Sequence, residues 1–133
     1  MGTDRTTGRQ GVVVFARDKA RVSAFYRETL SLGVEECEPS HDLLRGGGYE
    51  VVVHATRRTQ AAGREPVRPV TPRDGAALKP TFVVADLEAV RAAAGRTGGS
   101  LAPADEAWHI RGCVVLDGCD PEGNVVQFKQ RDA

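Results

Sequence analysis

Val12-Val13-Val14-Phe15-Ala16-Arg17-Asp18 has a counterpart later in the chain, Thr81-Phe82-Val83-Val84-Ala85-Asp86. Each begins as a short β-branched and aromatic run, the pattern of a buried strand. Each ends in an aspartate placed where a helix N-cap belongs, its carboxylate able to accept the free N–H groups of a first turn. Downstream of Asp18, Val22, Phe25, Tyr26 and Leu30 share one face of an amphipathic helix. Downstream of Asp86, Leu87, Val90, Ala93 and Ala94 do the same with smaller side chains. Gly33 is the expected stop of the first helix, and Gly95 or Gly98 of the second. The chain is therefore an internal repeat whose halves both open strand, helix.

Three strand candidates follow each helix. In the first half they are Val34–Glu38, His41–Arg45 and Tyr49–Ala55. In the second they are Ser100–Pro103, Trp108–Leu116 and Asn124–Lys129. Each half then reads βαβββ. Module one covers about residues 10–56 and module two about 78–131, as one domain over 1–133. Between them, about 57–77, prolines, glycines and arginines replace any periodicity, which reads as a linker with a partly ordered loop. Gly46-Gly47-Gly48 leads into Tyr49 rather than a helix, so it is a hairpin turn and not a phosphate loop. Asp120-Pro121-Glu122-Gly123-Asn124 is a turn with a mechanism: proline presets φ, and Gly123 and Asn124 tolerate φ > 0.

Composition narrows the classes. A chain of 133 residues fits one domain, and folding at this size buries roughly two-thirds of the unfolded surface. Apolar residues at 41% and charged ones at 27% describe an ordinary globule. Lys+Arg and Asp+Glu are 18 each, so the basic excess of a nucleic-acid binder is missing. No run approaches the ~20 apolar residues that span a bilayer, so no membrane partner is expected. Three cysteines, Cys37, Cys113 and Cys119, are an odd number with no C-x-x-C pair, which favours a reducing cytoplasm over a disulfide framework. Cys113 reads as a buried small hydrophobe and Cys119 as a more exposed turn residue.

The segments 14–18, 25–30, 82–88 and 120–128 together resemble the vicinal oxygen chelate (VOC) superfamily of glyoxalase I, bleomycin- and fosfomycin-resistance proteins and extradiol dioxygenases. The resemblance implies an α+β fold in which two tandem βαβββ modules form a curled mixed sheet around a cleft. It implies a ligand in that cleft, a divalent metal in many enzymes, and a homodimer, sometimes with modules paired between chains.

Metal-dependent relatives place ligands on the first and last strands of each module. Here those positions fall at Gly11 and Lys79, and near Glu50 and Gln127. Glycine offers no donor atom, and a lysine ammonium has no lone pair to give. One carboxylate and one neutral amide do not compensate a divalent ion for its water shell. No metal or other cofactor is therefore expected. Glu50 and Lys79 are instead expected to pair with each other where a metal would sit.

Other residues have two readings each. Glu50 and His54 lie four apart on one strand and are the candidate acid–base pair; otherwise His54 is a half-solvated strand-end histidine. Trp108 is a stacking wall for a ring, or packing. Arg111 offers a guanidinium to an anion, or covers the outer face of its strand. The expected ligand set is thus Glu50, His54, Lys79, Trp108, Arg111 and Gln127. The first functional reading is a glyoxalase/bleomycin-resistance-like binder of a small organic molecule. The alternative is a metal-dependent or acid–base glyoxalase-like lyase or isomerase, or a dioxygenase-related enzyme.

Overall fold

The computed structural model describes residues 8–56 and 70–132. Most of the expected linker, residues 57–69, lies outside the described residues. The elements run β1 (Gly11–Ala16), α1 (Lys19–Leu30), β2 (Gly33–Cys37), β3 (His41–Gly46) and β4 (Tyr49–Ala55), then β5 (Thr81–Val84), α2 (Leu87–Thr97), β6 (Ser100–Leu101), β7 (Trp108–Ile110), β8 (Cys113–Cys119) and β9 (Val125–Arg131).

The same topology appears twice. One sheet has the order β1-β4-β3-β2, the other β5-β9-β8-β6, with β7 also paired to β8. In each, the first strand runs parallel to the last, and the strands after the helix are antiparallel. The second strand of module two is split. Ser100 and Leu101 pair with Cys119 and Gly118, and Trp108–Ile110 pair with Val115–Cys113. A single 3-10 turn, Ala104–Glu106, is looped out between them.

The helix caps show how local chemistry starts and stops these elements. Asp18 accepts from the Arg21 N–H and Asp86 from the Glu88 N–H. α2 stops at Gly98 in the left-handed region, with Gly95 inside the helix. α1 departs from expectation: Ser31, not Gly33, takes the left-handed cap at φ 55°. Gly33 instead opens β2, where it pairs with Arg45.

Two further expectations are corrected. Trp108–Leu116 is not one strand but a tight hairpin, because Arg111 and Gly112 both have positive φ, 48° and 74°. Two consecutive left-handed residues form the turn whose twist suits a two-residue hairpin. Cys119 is fully buried at the end of β8, and its thiol lies 3.3 Å from Ser100 Oγ, while Cys113 beside the hairpin turn is only half-buried.

One core serves both modules. The expected helix faces, Val22, Phe25, Tyr26 and Leu30 on α1 and Leu87, Val90, Ala93 and Ala94 on α2, are all buried. Phe25 packs edge-on against Tyr26 at 5.0 Å and reaches Phe128 of the other module at 6.4 Å. Tyr49 and Phe82 meet at 5.3 Å. Strand alternation sends Val51, Val53, Val126 and Phe128 into this core, and leaves the residues between them on an opposite, open face.

Candidate functional site

The face of module one opposite the core carries Val13 and Phe15 from β1, Glu50, Val52 and His54 from β4, and His41, Leu43 and Arg45 from β3, of which Val13 and Phe15 are exposed and Leu43 and the Arg45 side chain buried. Register places them together: Phe15 beside His54, His54 beside His41, and Glu50 beside both Gly11 and Arg45. Glu50 is not free. Arg45 Nε donates to Glu50 Oε1 at 3.0 Å, with both side chains largely shielded from water. His54 Nδ1 lies 3.0 Å from the Ala55 carbonyl oxygen. A carbonyl only accepts, so in the neutral ring this bond puts the proton on Nδ1 and the lone pair on Nε2.

The open face of module two carries Thr81 and Val83 from β5, Gln127 and Lys129 from β9, Asp117 from β8, and Trp108 and Ile110 from β7, with Lys79 just ahead of β5. Lys79 Nζ donates to Asp117 Oδ2 at 3.0 Å and sits 5.9 Å from the centre of the Trp108 ring. Thr81 Oγ1 donates to Gln127 Oε1 at 2.9 Å, and Asp117 is the cross-strand neighbour of Gln127. Asp117 Oδ1 is buried and, among the described residues, finds no hydrogen-bond partner. Asp117 went unmarked in the sequence. Its signal was a single carboxylate at the end of the apolar run Cys113–Leu116.

Of the expected set, then, Glu50 and His54 share one face, and Lys79, Trp108 and Gln127 cluster on the other. Arg111 stands apart at the hairpin tip, not within a strand as expected. The expected Glu50–Lys79 pair is corrected: each of the two has a different partner on its own sheet, Arg45 and Asp117. Each carboxylate already faces a cation of its own module, which removes the electrostatic drive for a pair between modules.

The metal positions do not fit a divalent ion. A Cβ built on Gly11 would stand 2.0 Å from the Glu50 carbonyl oxygen, so β1 approaches β4 too closely for any side chain there. Lys79 brings positive charge, Glu50 is engaged by Arg45, and Gln127 by Thr81. Among the described residues no group of three or more His, Cys, Asp or Glu side chains converges.

The modules are clamped together from the other side. The carboxylate of Glu122, in the turn before β9, accepts from the N–H of Arg17 at 2.8 Å and of Asp18 at 2.7 Å, at the junction of β1 and α1. Beneath it, Asp120 Oδ2 accepts from Tyr26 Oη at 2.8 Å and from Asn124 Nδ2 at 2.8 Å, while Oδ1 accepts from the Glu122 and Asn124 N–H groups. Burial pushes the Asp120 carboxyl above its ordinary value despite these donors. Burial, then the neighbouring Asp120, pushes the Tyr26 hydroxyl well above its own.

This paired-module architecture is the VOC fold. A glyoxalase/bleomycin resistance protein/dioxygenase family enzyme from Burkholderia phytofirmans superposes with a TM-score of 0.66 at 21% identity, over 94% of this chain and 99% of that one. A bleomycin resistance determinant encoded on the transposon Tn5 gives 0.61 at 14% identity, over 96% and 100%. The fosfomycin resistance protein FosX from Mesorhizobium loti gives 0.62 at 11% identity, over 93% and 92%. No family model and no curated protein matches the sequence. The likeness at these identities is one of fold. No described helix is long and apolar enough to cross a membrane.

Proposed function

We propose that this protein binds a small organic molecule against its open sheet faces, without a catalytic metal, and acts as a cytoplasmic homodimer. The observation that carries the binding reading is the apolar character of those faces. Val13 is 53% exposed, Phe15 60%, Val83 51% and Trp108 38%. They alternate with groups that orient a ligand: His54, Lys79 and Gln127. Ring-lined surface with a few placed polar groups is what small-molecule sites are made of.

The donor set supports the absence of a metal. Its one carboxylate, Glu50, is held by Arg45, and its glycine corner is closed by backbone. A second copy is supported by exposed apolar side chains away from those faces, Val34 at 47% and Leu78 at 84%, which a partner would cover. Three free thiols support a reducing compartment. Binding of a drug or metabolite without turnover fits this reading, and the Tn5 protein that shares the fold is a bleomycin resistance determinant. Acid–base catalysis by Glu50 and His54 is the second reading, favoured by their place on one face of β4.

Trp108 is the chain's one tryptophan, so its fluorescence reports the proposed site directly. A thermal-shift and fluorescence screen of aromatic and glycopeptide ligands tests it, because a ligand bound only by the native state raises Tm. The expected result is a saturable Trp108 signal with a rise in Tm. Titration with Ni²⁺, Mn²⁺ or Fe²⁺ is expected to show no stoichiometric site. An ion held by Glu50 and Gln127 would overturn the binder in favour of a metal-dependent enzyme.

A further inference from the structure

At one end of the module-one face, three side chains form a relay that the binding reading does not use. β2 and β3 are joined through Pro39 and Ser40, and the turn is closed by reciprocal backbone bonds between Glu38 and His41, at 2.8 and 3.2 Å. The Ser40 carbonyl accepts from the Ala55 N–H at 2.8 Å, which ties this turn to the end of β4. Within that frame Ser40 Oγ lies 2.8 Å from His41 Nδ1, and His41 Nε2 lies 2.9 Å from Glu36 Oε1.

The protons on this chain follow from the chemistry of its ends. An ionised carboxylate only accepts, so the proton of a neutral His41 ring sits on Nε2, directed at Glu36. Nδ1 then holds the lone pair and Ser40 Oγ–H donates to it. A hydroxyl bound to an imidazole base, itself oriented by a carboxylate, is the arrangement of an activated nucleophile. Beside it the rings line up across three strands. His54 stacks on His41 at 6.3 Å and 17°, and Phe15 lies 5.7 Å from His54. Phe15 and Ser40 are both exposed, so a flat acyl or aryl group has a surface to lie on next to the hydroxyl.

The geometry points to Ser40 as the nucleophile of a hydrolytic site for small esters, with His41 as its base and Glu36 as the residue that positions His41. As the Ser40 Oγ–carbonyl bond forms, the hydroxyl proton moves to His41 Nδ1. The ester C–O bond breaks and the departing alcohol takes that proton. Water then gives a proton to His41 Nδ1 and adds to the acyl carbon. Ser40 Oγ leaves, recovers its proton, and the acid is released. The sum is ester plus water to acid plus alcohol.

The test uses the full chain with p-nitrophenyl acetate and a fluorophosphonate serine probe. The expected result is one probe adduct, mapped to Ser40, and hydrolysis above the buffer rate. Ser40→Ala abolishes both. His41→Gln lowers the rate about 10²-fold, the usual contribution of a general base. Glu36→Gln lowers kcat about tenfold with KM unchanged, and Glu36→Asp recovers part of it, as expected of a group that orients a base. All four residue changes lie on an exposed hairpin, and circular dichroism confirms that the variants fold. Absence of an adduct, an adduct elsewhere, or hydrolysis that survives Ser40→Ala overturns the assignment. None of these outcomes bears on ligand binding at Trp108, which is read separately by its fluorescence.

Discussion

Tyr26 on α1 and Asp120 ahead of β9 are 94 residues apart and share a buried hydrogen bond of 2.8 Å that crosses from one module to the other. Asp120 accepts four donors in all, so its carboxylate is paired rather than stranded. Tyr26→Phe keeps the ring packing against Phe25 and deletes only the donor. Leaving a buried acceptor short of a partner costs about 1–3 kcal/mol. The urea midpoint of Tyr26→Phe is expected to fall accordingly, with an unchanged slope. An unaltered midpoint would mean that this bond contributes nothing net to holding the modules together.

Two buried aspartates make opposite contributions to acid stability. Burial raises the folded Asp120 carboxyl above its ordinary value of 3.8, so the stability tied to its proton is full below that value and is lost as pH rises through the folded pKa. Asp42 is the reverse. Burial pushes it up, but Lys19 at 2.7 Å, Ser23 and Cys37 together hold it below 3.8. Its contribution is present above 3.8 and is lost as pH falls through the lower folded value. Asp42→Asn is therefore expected to be less stable at pH 7 and to lose less stability than the parent between pH 5 and pH 2. Chemical denaturation across that range measures it; parallel curves for the two proteins would contradict the assignment.

The strand–aspartate–helix repeat was legible because buried faces obey periodicity. Every α1 and α2 position expected in the core is there. What the sequence concealed is instructive. The Trp108–Leu116 run hides a hairpin because Arg111 takes a left-handed conformation that few non-glycine residues adopt, and its Arg-Gly pair is not a standard turn signal. Cys119 looked like a turn residue because it adjoins Asp120-Pro121, yet β8 carries it into the core. The partners of Glu50 and Lys79 were misjudged for a different reason. Superfamily positions say which residues occupy a corner, not which neighbour neutralises them. Arg45 reaches Glu50 across the Gly46–Gly48 hairpin, a neighbour the turn implied, whereas Asp117 reaches Lys79 from 38 residues further along the chain, which no local pattern reveals.

Glu122 makes the longest-range of these links, and among the described residues its carboxylate captures backbone N–H groups. Its two oxygens take the N–H groups of Arg17 and Asp18, just where β1 gives way to α1. Hydrogen bonds to a charged acceptor are worth about 1.5–3 kcal/mol. Glu122→Ala is expected to lower stability by about that much and to speed hydrogen exchange of the Arg17 and Asp18 amides more than that of amides in β8. Uniform acceleration across the molecule would show global destabilisation without a local anchor.

At the module-one corner Gly11 leaves no space for a donor side chain. Its missing Cβ leaves room for the Glu50 carbonyl, which a methyl group would meet at 2.0 Å. That contact is with backbone, and it cannot be relieved by rotating a side chain. Placing a histidine at this position therefore does more than add a ligand: β1 must move off β4, disturbing the register from Gly11–Glu50 to Ala16–Ala55. Gly11→His is expected to cost about 3 kcal/mol or more, at the upper end of overpacking effects, and to bind Ni²⁺ no better than the parent in calorimetry. Gly11→Ala separates strain from chemistry, since it carries the same clash and no imidazole. Equal destabilisation of the two variants, with no metal bound by either, is the expected outcome. A Gly11→His protein of parental stability that takes up one ion per chain would show that the strand can yield and that only the donor was missing.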